Sequence, residues 1–499
     1  MRSLFRVLVG IAVLIFLFLV RRLQQIRKVQ RLERFHGCEP SHSERNRFRY
    51  DFLGIIKALE LAFNFRCRTS LPYTNALFKK YGETYVSNVF TYRLIFTCNA
   101  NNTRHLLSTA FADYDSSPLR KPMFKPITPH GIFTLDGAGW KKSREQLRSR
   151  LSNLRRIIEL DSCERHFQAF LRHVPAHGRA FDVQSCVFAL ALDMQTAFSL
   201  GESVDALDFS QSHEKKRFLA DLIFVKERIV QDGFRGPLRA FYPKRRFIQA
   251  CQRSRQYVMG CLARSSSGEN TEKDISDSAD QALSILLAND SMSTALSGLF
   301  YCLCQDQRVV RKLRANIIET VGLKPPTWGQ LGSLRYVRHV IHETMRLFPA
   351  VVLNARVANK DSTLPHGGGV DGNSPILVQK GEIVVFSTWA RHRLGKDFGE
   401  NPEQFYPERW EKLSGDMTGF IPFNKGPRSC PGRKFALRSG SGGCLVNTEA
   451  EHYAMIVLTY LVVRVFQTFS KVSNYNTQPW TERISMTLEN ENGVLIGLS

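Results

Sequence analysis

A chain of 499 residues with 43% hydrophobic and 23% charged residues has ordinary globular composition, which excludes a disordered, collagen-like or coiled-coil protein. Lysine and arginine outnumber aspartate and glutamate by 69 to 45, a formal net charge of +24 that favours an acidic partner, an anionic membrane surface or nucleic acid without choosing among them. Eleven irregularly spaced cysteines with no C-x-x-C pattern argue against a disulfide framework and a structural zinc site, and for thiols in a reducing compartment.

The first element predicted is at the N-terminus. Leu4–Val20 is apolar except for Arg6 and, as a helix, would span about 25 Å, enough for a thin bilayer such as that of the endoplasmic reticulum with flanking arginines reaching the surface. No small-x-small cleavage site precedes Arg21 and Arg22, so residues 1–22 read as a transmembrane anchor rather than a removed signal. Arg21, Arg22, Arg27, Lys28, Arg31 and Arg34 follow the run, which keeps the body of a single-pass protein on the cytosolic side. Residues 23–50 read as a basic linker lying against membrane lipid.

From about Trp140 to Phe348 the apolar spacing is helical, as in 145–160, 281–303 and 308–321. Strand-like pieces are short and fall early (83–90 and 93–99) and late (351–358, 375–387 and 483–499). The last of these is expected to be a hairpin turning near Asn492-Gly493. The fold class is mainly α with small β-sheets, and residues 51–499 read as one catalytic domain. No G-x-x-x-x-G-K-S/T occurs and no G-x-G-x-x-G follows a strand, so an NAD or flavin domain within the chain is not expected.

One cysteine stands apart. Phe423, Gly426, Arg428, Cys430 and Gly432 form F-x-x-G-x-R-x-C-x-G, whose chance expectation in a chain of this length is about 10⁻⁴. This is the haem-binding signature of the cytochrome P450 superfamily, which the chain resembles. The resemblance implies haem b (iron protoporphyrin IX) with the Cys430 thiolate as axial iron ligand. A thiolate pushes electron density to the iron and favours O–O cleavage. The glycines would let the backbone approach the porphyrin and sulfur, and Arg428 would pair with a haem propionate.

Other landmarks follow in the family's order. Trp140 and Arg144 match W-x-x-x-R, one helical turn apart and able to reach a propionate, and Arg356 matches a further propionate position. Glu343-Thr-Met-Arg346 matches E-x-x-R and Pro407-Glu-Arg409-Trp the P-E-R-F/W motif. The resemblance implies a buried triad of Glu343, Arg346 and Arg409 that locks the segment leading to the cysteine. Leu287-Ala-Asn-Asp290-Ser291 aligns with A/G-G-x-D/E-T of the oxygen-activating helix, with Asp290 as proton relay and Ser291 as the alcohol in place of threonine. The helix begun at Arg433–Leu437 is interrupted by Arg438–Asn447, three of whose residues are glycine, before Thr448-Glu449-Ala450 resumes it. This segment reads as an insertion or a misplaced splice boundary, because glycines oppose a helix by about 1 kcal/mol each.

Within the superfamily the chain is most similar to the fungal alkane- and fatty-acid-hydroxylating class, on residues 129–148, 354–382 and 423–437. The resemblance implies hydroxylation of a small lipophilic substrate, with electrons from NADPH supplied through a membrane-bound NADPH–cytochrome P450 reductase that docks near Lys425, Arg433 and Lys434. Substrate contacts are expected at Ile132 and Phe133, Leu287, Ala350–Leu353 and Ile484–Met486. Two alternatives stand beside this reading: a tailoring monooxygenase of secondary metabolism, and a haem-thiolate binder made inactive by the 438–447 insert. Charge alone suggests nucleic acid, and no nucleic-acid motif accompanies it.

Overall fold

The computed structural model describes residues 2–41, 43, 54–89, 92–151, 158–208, 210–265, 272–413, 419–431 and 453–499. The insert at 438–447, Gly432, Arg433 and Lys434 therefore lie outside the described residues. Among these residues the fold is mainly helical with small sheets.

The elements that build the site are few. Helix α1 (Arg2–His36) contains the Leu4–Val20 run and continues without a break through the basic residues past Arg22, so the first part of the expected linker is helical. Further along come α2 (Ser117–Phe124), α3 (Gly137–Arg150), α4 (Val183–Leu200), α5 (His213–Arg235) and α6 (Arg245–Ser265). Then follow α7 (Glu272–Ala288), α8 (Asp290–Leu303), α9 (Arg335–Leu347) and α10 (Tyr453–Thr468). The largest sheet holds β1 (Thr84–Val89), β2 (Tyr92–Thr97), β3 (Tyr114–Asp115), β4 (Leu353–Ala358) and β5 (Ile383–Ser387), in the order β1-β2-β5-β4-β3. Parallel pairing of β2 with β5 (Ile95 opposite Val384) joins the early and late strand regions of the sequence.

The core forms where apolar faces converge. Val187, Leu190 and Ala191 of α4, Leu296, Leu299 and Phe300 of α8, Val337, Val340 and Ile341 of α9 and Leu458, Leu461 and Val462 of α10 share one cluster. Helix α4 is long and apolar enough, by length and composition, to cross a membrane, and most of it is buried inside the molecule. Apolar character on all sides is what a central core helix requires.

One expected hairpin is rearranged. Asn492-Gly493 does not join two paired strands. Instead β6 (Glu482–Ile484) pairs with β7 (Leu488–Asn490) across the tight loop Ser485-Met486-Thr487, with Ile484 opposite Leu488. The chain then turns at Gly493 (φ +70°), and Leu495–Leu498 leaves to pair with Val472–Asn474. The short loop matters for function because it carries Met486 and Thr487 to a cavity wall, and Thr294 Oγ1 of α8 lies 3.0 Å from Thr487 Oγ1.

Candidate functional site

The cysteine loop is held by its own backbone. The Cys430 N–H donates to the Phe423 carbonyl at 2.8 Å and the Ser429 N–H to Gly426 O at 3.0 Å, closing the loop on itself. Asn424 and Gly426 both adopt positive φ, +62° and +69°. The sequence motif led us to expect glycine at 426 for approach to porphyrin and sulfur. The structure shows a further close approach: a Cβ on Gly426 would fall 1.8 Å from the carbonyl oxygen of Leu107, so two backbones meet there.

Cys430 lies on the wall of a cavity of about 460 Å³ enclosed between the cysteine loop, α3, the α7–α8 junction, β4 and the 485–487 loop. Its lining includes Phe423 of the loop, Ile132, Phe133 and Leu287 on the far side, and Ala350, Val351 and Leu353 at the start of β4. Of the expected substrate contacts, Met486 also reaches the cavity, while Val352 and Ile484 turn into a neighbouring core cluster with Leu71 and Phe348.

Cations concentrate at one margin of this cavity. Arg144 and Arg356 are buried there, and Arg120 of α2 and Arg428 are half-buried. Trp140, one turn before Arg144 on α3, is sandwiched by charge: the Arg428 guanidinium lies 4.5 Å from the indole centroid and that of Arg144 5.7 Å. Asn354 Oδ1 accepts from Arg120 at 2.8 Å and Arg356 at 3.2 Å, and the Arg356 Nε is buried with no partner. Burial pushes Arg356 down to about 9 and Arg120 to about 10, with Arg428 adding to both depressions and Arg120 to that of Arg356. The carboxylate paired within the cluster is Asp136, with Asp115 close enough to act on Arg428 as well. Asp136 accepts from Ser116 and Ser117 N–H groups and pairs with Arg428, and those partners hold it below the usual range despite its burial. Four guanidiniums against Asp136 and Asp115, at the edge of an apolar cavity, form a site short of negative charge. A flat apolar group bearing two carboxylates fits it, which is what haem presents. The donor set agrees: Cys430 supplies a soft thiolate, and among the described residues no cluster of three or more His, Cys, Asp or Glu competes as a metal site.

Opposite the cysteine loop the long helix is interrupted. Asn289 keeps helical angles (φ −63°, ψ −29°), makes no side-chain cap, and leaves the ladder, so that the Met292 N–H donates to Asn289 O at 3.2 Å. Ala288, Asn289 and Ser291 line the cavity, and the Ser291 hydroxyl donates to the loosened Ala288 carbonyl at 3.1 Å. Asp290 is not among the lining residues. Its carboxylate is buried against Lys226 of α5 at 2.7 Å, and the same ammonium donates to Asn289 Oδ1 at 3.0 Å.

The comparisons with known proteins agree with this arrangement. The family model described as Cytochrome P450 matches residues 62–290 and 262–439, most of the chain. The chain belongs to the cytochrome P450 family. It is 32% identical to Cytochrome P450 monooxygenase himC of Aspergillus japonicus, over 93% of this chain and 84% of that one. To Cytochrome P450 52A5 of Candida maltosa it is 33% identical, over 78% and 77%, and to Cytochrome P450 52A13 of Debaryomyces hansenii 31% identical, over 83% of each. These relatives are fungal, as the resemblance implied, and the chain is a cytochrome P450 monooxygenase.

In this P450 the E-x-x-R and P-E-R-W motifs meet as expected. Glu343, with no exposed surface, accepts five hydrogen bonds: from Arg346 Nε and Nη2 (both 2.9 Å), Arg409 Nε (2.8 Å), the Tyr406 N–H (2.9 Å) and Trp410 Nε1 (3.0 Å). The apolar stripe Tyr336, Val337, Val340, Ile341 buries this face of α9, and Pro349 ends the helix at the point where the chain enters β4. Two functional residues escaped the sequence motifs. His392 Nδ1 donates to Arg346 O (3.1 Å) and Nε2 accepts the Ile421 N–H (3.0 Å), so a neutral imidazole, kept well below its usual pKa by burial, links the triad to the cysteine loop. Arg120 joins the cation cluster only through packing of α2 on β4; no spacing within the chain announces it. Of the three basic residues expected to meet a reductase, Lys425 alone lies among the described residues.

Proposed function

We propose that this P450 is a membrane-bound haem-thiolate monooxygenase that hydroxylates a long-chain lipophile of alkane or fatty-acid type, with Cys430 as the axial iron ligand. The carrying observation is the apolar cavity that meets Cys430 at one wall and a cluster of four arginines at its margin. Arg120, Arg144, Arg356, Arg428 and Trp140 would hold the propionates of haem b. When bound, that group supplies reductive activation of dioxygen, so that substrate, O₂, two electrons and two protons give alcohol and water. The electrons come from NADPH through an NADPH–cytochrome P450 reductase, drawn to the basic surface around Lys425. The chain's own residues supply position and protons. Ile132, Phe133 and Leu287 exclude water and orient the chain of the substrate, Ser291 holds a hydroxyl on the cavity wall, and Asp290 takes protons from the Lys226 side.

Membrane attachment through residues 1–22, at the endoplasmic reticulum with the catalytic domain cytosolic, is supported by the Leu4–Val20 run and by a second apolar surface. Phe234, Leu238, Phe241 and Tyr242 are exposed between α5 and α6, Phe65 stacks on Phe234 at 3.9 Å, and Leu59 and Phe63 are exposed beside it. A tailoring step on a secondary metabolite would use the same cavity. Asn289, Gln195 and Thr487 on its wall favour that substrate where the lipophile carries oxygen.

The deciding experiment takes the full chain in microsomes with reductase and NADPH, offers dodecane, dodecanoic acid and an oxygenated polycyclic lipophile, and reads products carrying one added oxygen. Hydroxylated dodecane or dodecanoic acid supports the reading; product from the polycycle alone replaces it with the tailoring role. The same assay on a form lacking residues 438–447 reads the insert: turnover only in the shortened form identifies the present sequence as the inactive binder. In this assay Asp290→Asn is expected to slow product formation about 100-fold while haem content stays intact. Unchanged turnover would remove Asp290 from proton delivery.

A further inference from the structure

Ile132 and Phe133 reach the cavity from residues 127–134, a segment of turns with no helix or strand of its own. A buried carboxylate holds it. Asp280 of α7 has no exposed surface and does not line the cavity; its Oδ2 accepts the His130 N–H at 2.7 Å and its Oδ1 pairs with Arg255 of α6. The same guanidinium donates to Ile127 O at 2.8 Å and to Ser276 Oγ at 3.2 Å. Directly after His130 sits Gly131, where a Cβ would come within 2.7 Å of Ser284 Oγ, and Ser284 donates to Asp280 O at 2.7 Å. The far end of the segment is tied to the cysteine loop, with Arg428 donating to Ile132 O at 3.3 Å and Leu135 O at 2.9 Å.

Each end of the segment thus answers to a different part of the molecule: the Arg428 end to the cysteine loop, the Asp280 end to α7, whose last turns line the cavity, and to α6 behind it. A buried ion pair contributes little net stability against an apolar replacement, so its value lies in the geometry it imposes. We propose that Asp280 and Arg255 are positioning residues that set the substrate selectivity of this P450 by fixing Ile132 and Phe133 over the cavity. This rests on the reading of the cavity as the substrate chamber. The strap holds the apolar wall close, which suits a narrow alkyl chain. Releasing it opens the wall toward α6 and favours broader lipophiles.

The test uses the full chain with haem bound, as wild type, Asp280→Asn, Arg255→Gln and the double variant. The double variant leaves no unpaired buried charge and guards against a simple folding failure. Three quantities are read: amide hydrogen exchange in residues 127–136, the affinities of dodecanoic acid and of an oxygenated polycyclic lipophile, and the reduced carbon monoxide-bound spectrum. In all three variants exchange in 127–136 is expected to rise about tenfold, and dodecanoic acid to bind about tenfold more weakly relative to the polycycle, with the spectrum unchanged. Unchanged exchange, or faster exchange with the ratio of the two affinities unaltered, would overturn the proposal. A wild-type protein that binds neither probe would overturn the substrate-chamber reading instead, and the exchange rates would still decide whether the pair holds the segment.

Discussion

Replacing Cys430 with alanine is expected to abolish the red-shifted Soret band of the reduced, carbon monoxide-bound protein, and with it all monooxygenase turnover. The effect is total rather than graded because a thiolate spectrum needs a cysteine sulfur, which the thioethers of Met292, Met345 and Met486 on the same cavity do not supply. Among the described residues that line the cavity, Cys430 is the one cysteine. Cys430→Ser separates ligation from packing. Its hydroxyl fills nearly the same volume, so the loop closed by the Cys430 N–H to Phe423 O bond should persist while the thiolate spectrum does not. Haem content and the difference spectrum, measured together on both variants, check the assignment. A thiolate spectrum in either variant would transfer the ligand role to another cysteine.

The second large effect is expected at Glu343, which is not among the residues that line the cavity. Glu343→Gln keeps the size of the side chain and removes its charge. Arg346, which has no exposed surface, and Arg409 would then face an amide, one end of which is itself a donor, where five hydrogen bonds now converge on a carboxylate. Leaving buried guanidiniums without their anion costs about 3–5 kcal/mol, a large share of the stability of a domain. The loss should appear first at the haem loop, because Arg346 O is bridged through neutral His392 to the Ile421 N–H just upstream of Phe423. The measurement is haem bound per protein together with the thermal midpoint. Both should fall in Glu343→Gln. A variant with full haem occupancy and an unaltered midpoint would show that the triad does not lock the cysteine segment.

These two sites differ in how openly the sequence announced them. The cysteine motif is local: its residues lie within ten positions, and the loop closes through backbone hydrogen bonds between those same residues. The triad is assembled from two motifs more than sixty residues apart, and was legible only because each motif is itself recognisable. The remaining cations follow the same rule. Trp140 and Arg144 are neighbours on one helix and can be paired by counting, and Arg356 was named by resemblance. Arg120 was missed because its place depends on α2 packing against Asn354. The late strands were found, but their pairing was misjudged. Asn492-Gly493 is a good local turn signal, yet the strand after it gains more by joining Val472–Asn474 than by folding back on its predecessor.

Short-range chemistry is what the sequence determined by itself: the thiolate loop, the helical middle of the chain, the apolar N-terminal run and the family that unites them. Tertiary structure alone decided three further points. Gly426 is required by the Leu107 carbonyl, a partner remote in the chain. Asp290 is turned to Lys226 instead of standing among the cavity-lining residues. The wall segment at Ile132 and Phe133 is strapped by Asp280 and Arg255. In each case the deciding partner comes from a segment remote in the chain. Steric exclusion and buried charge act through space, and no spacing within one segment records them.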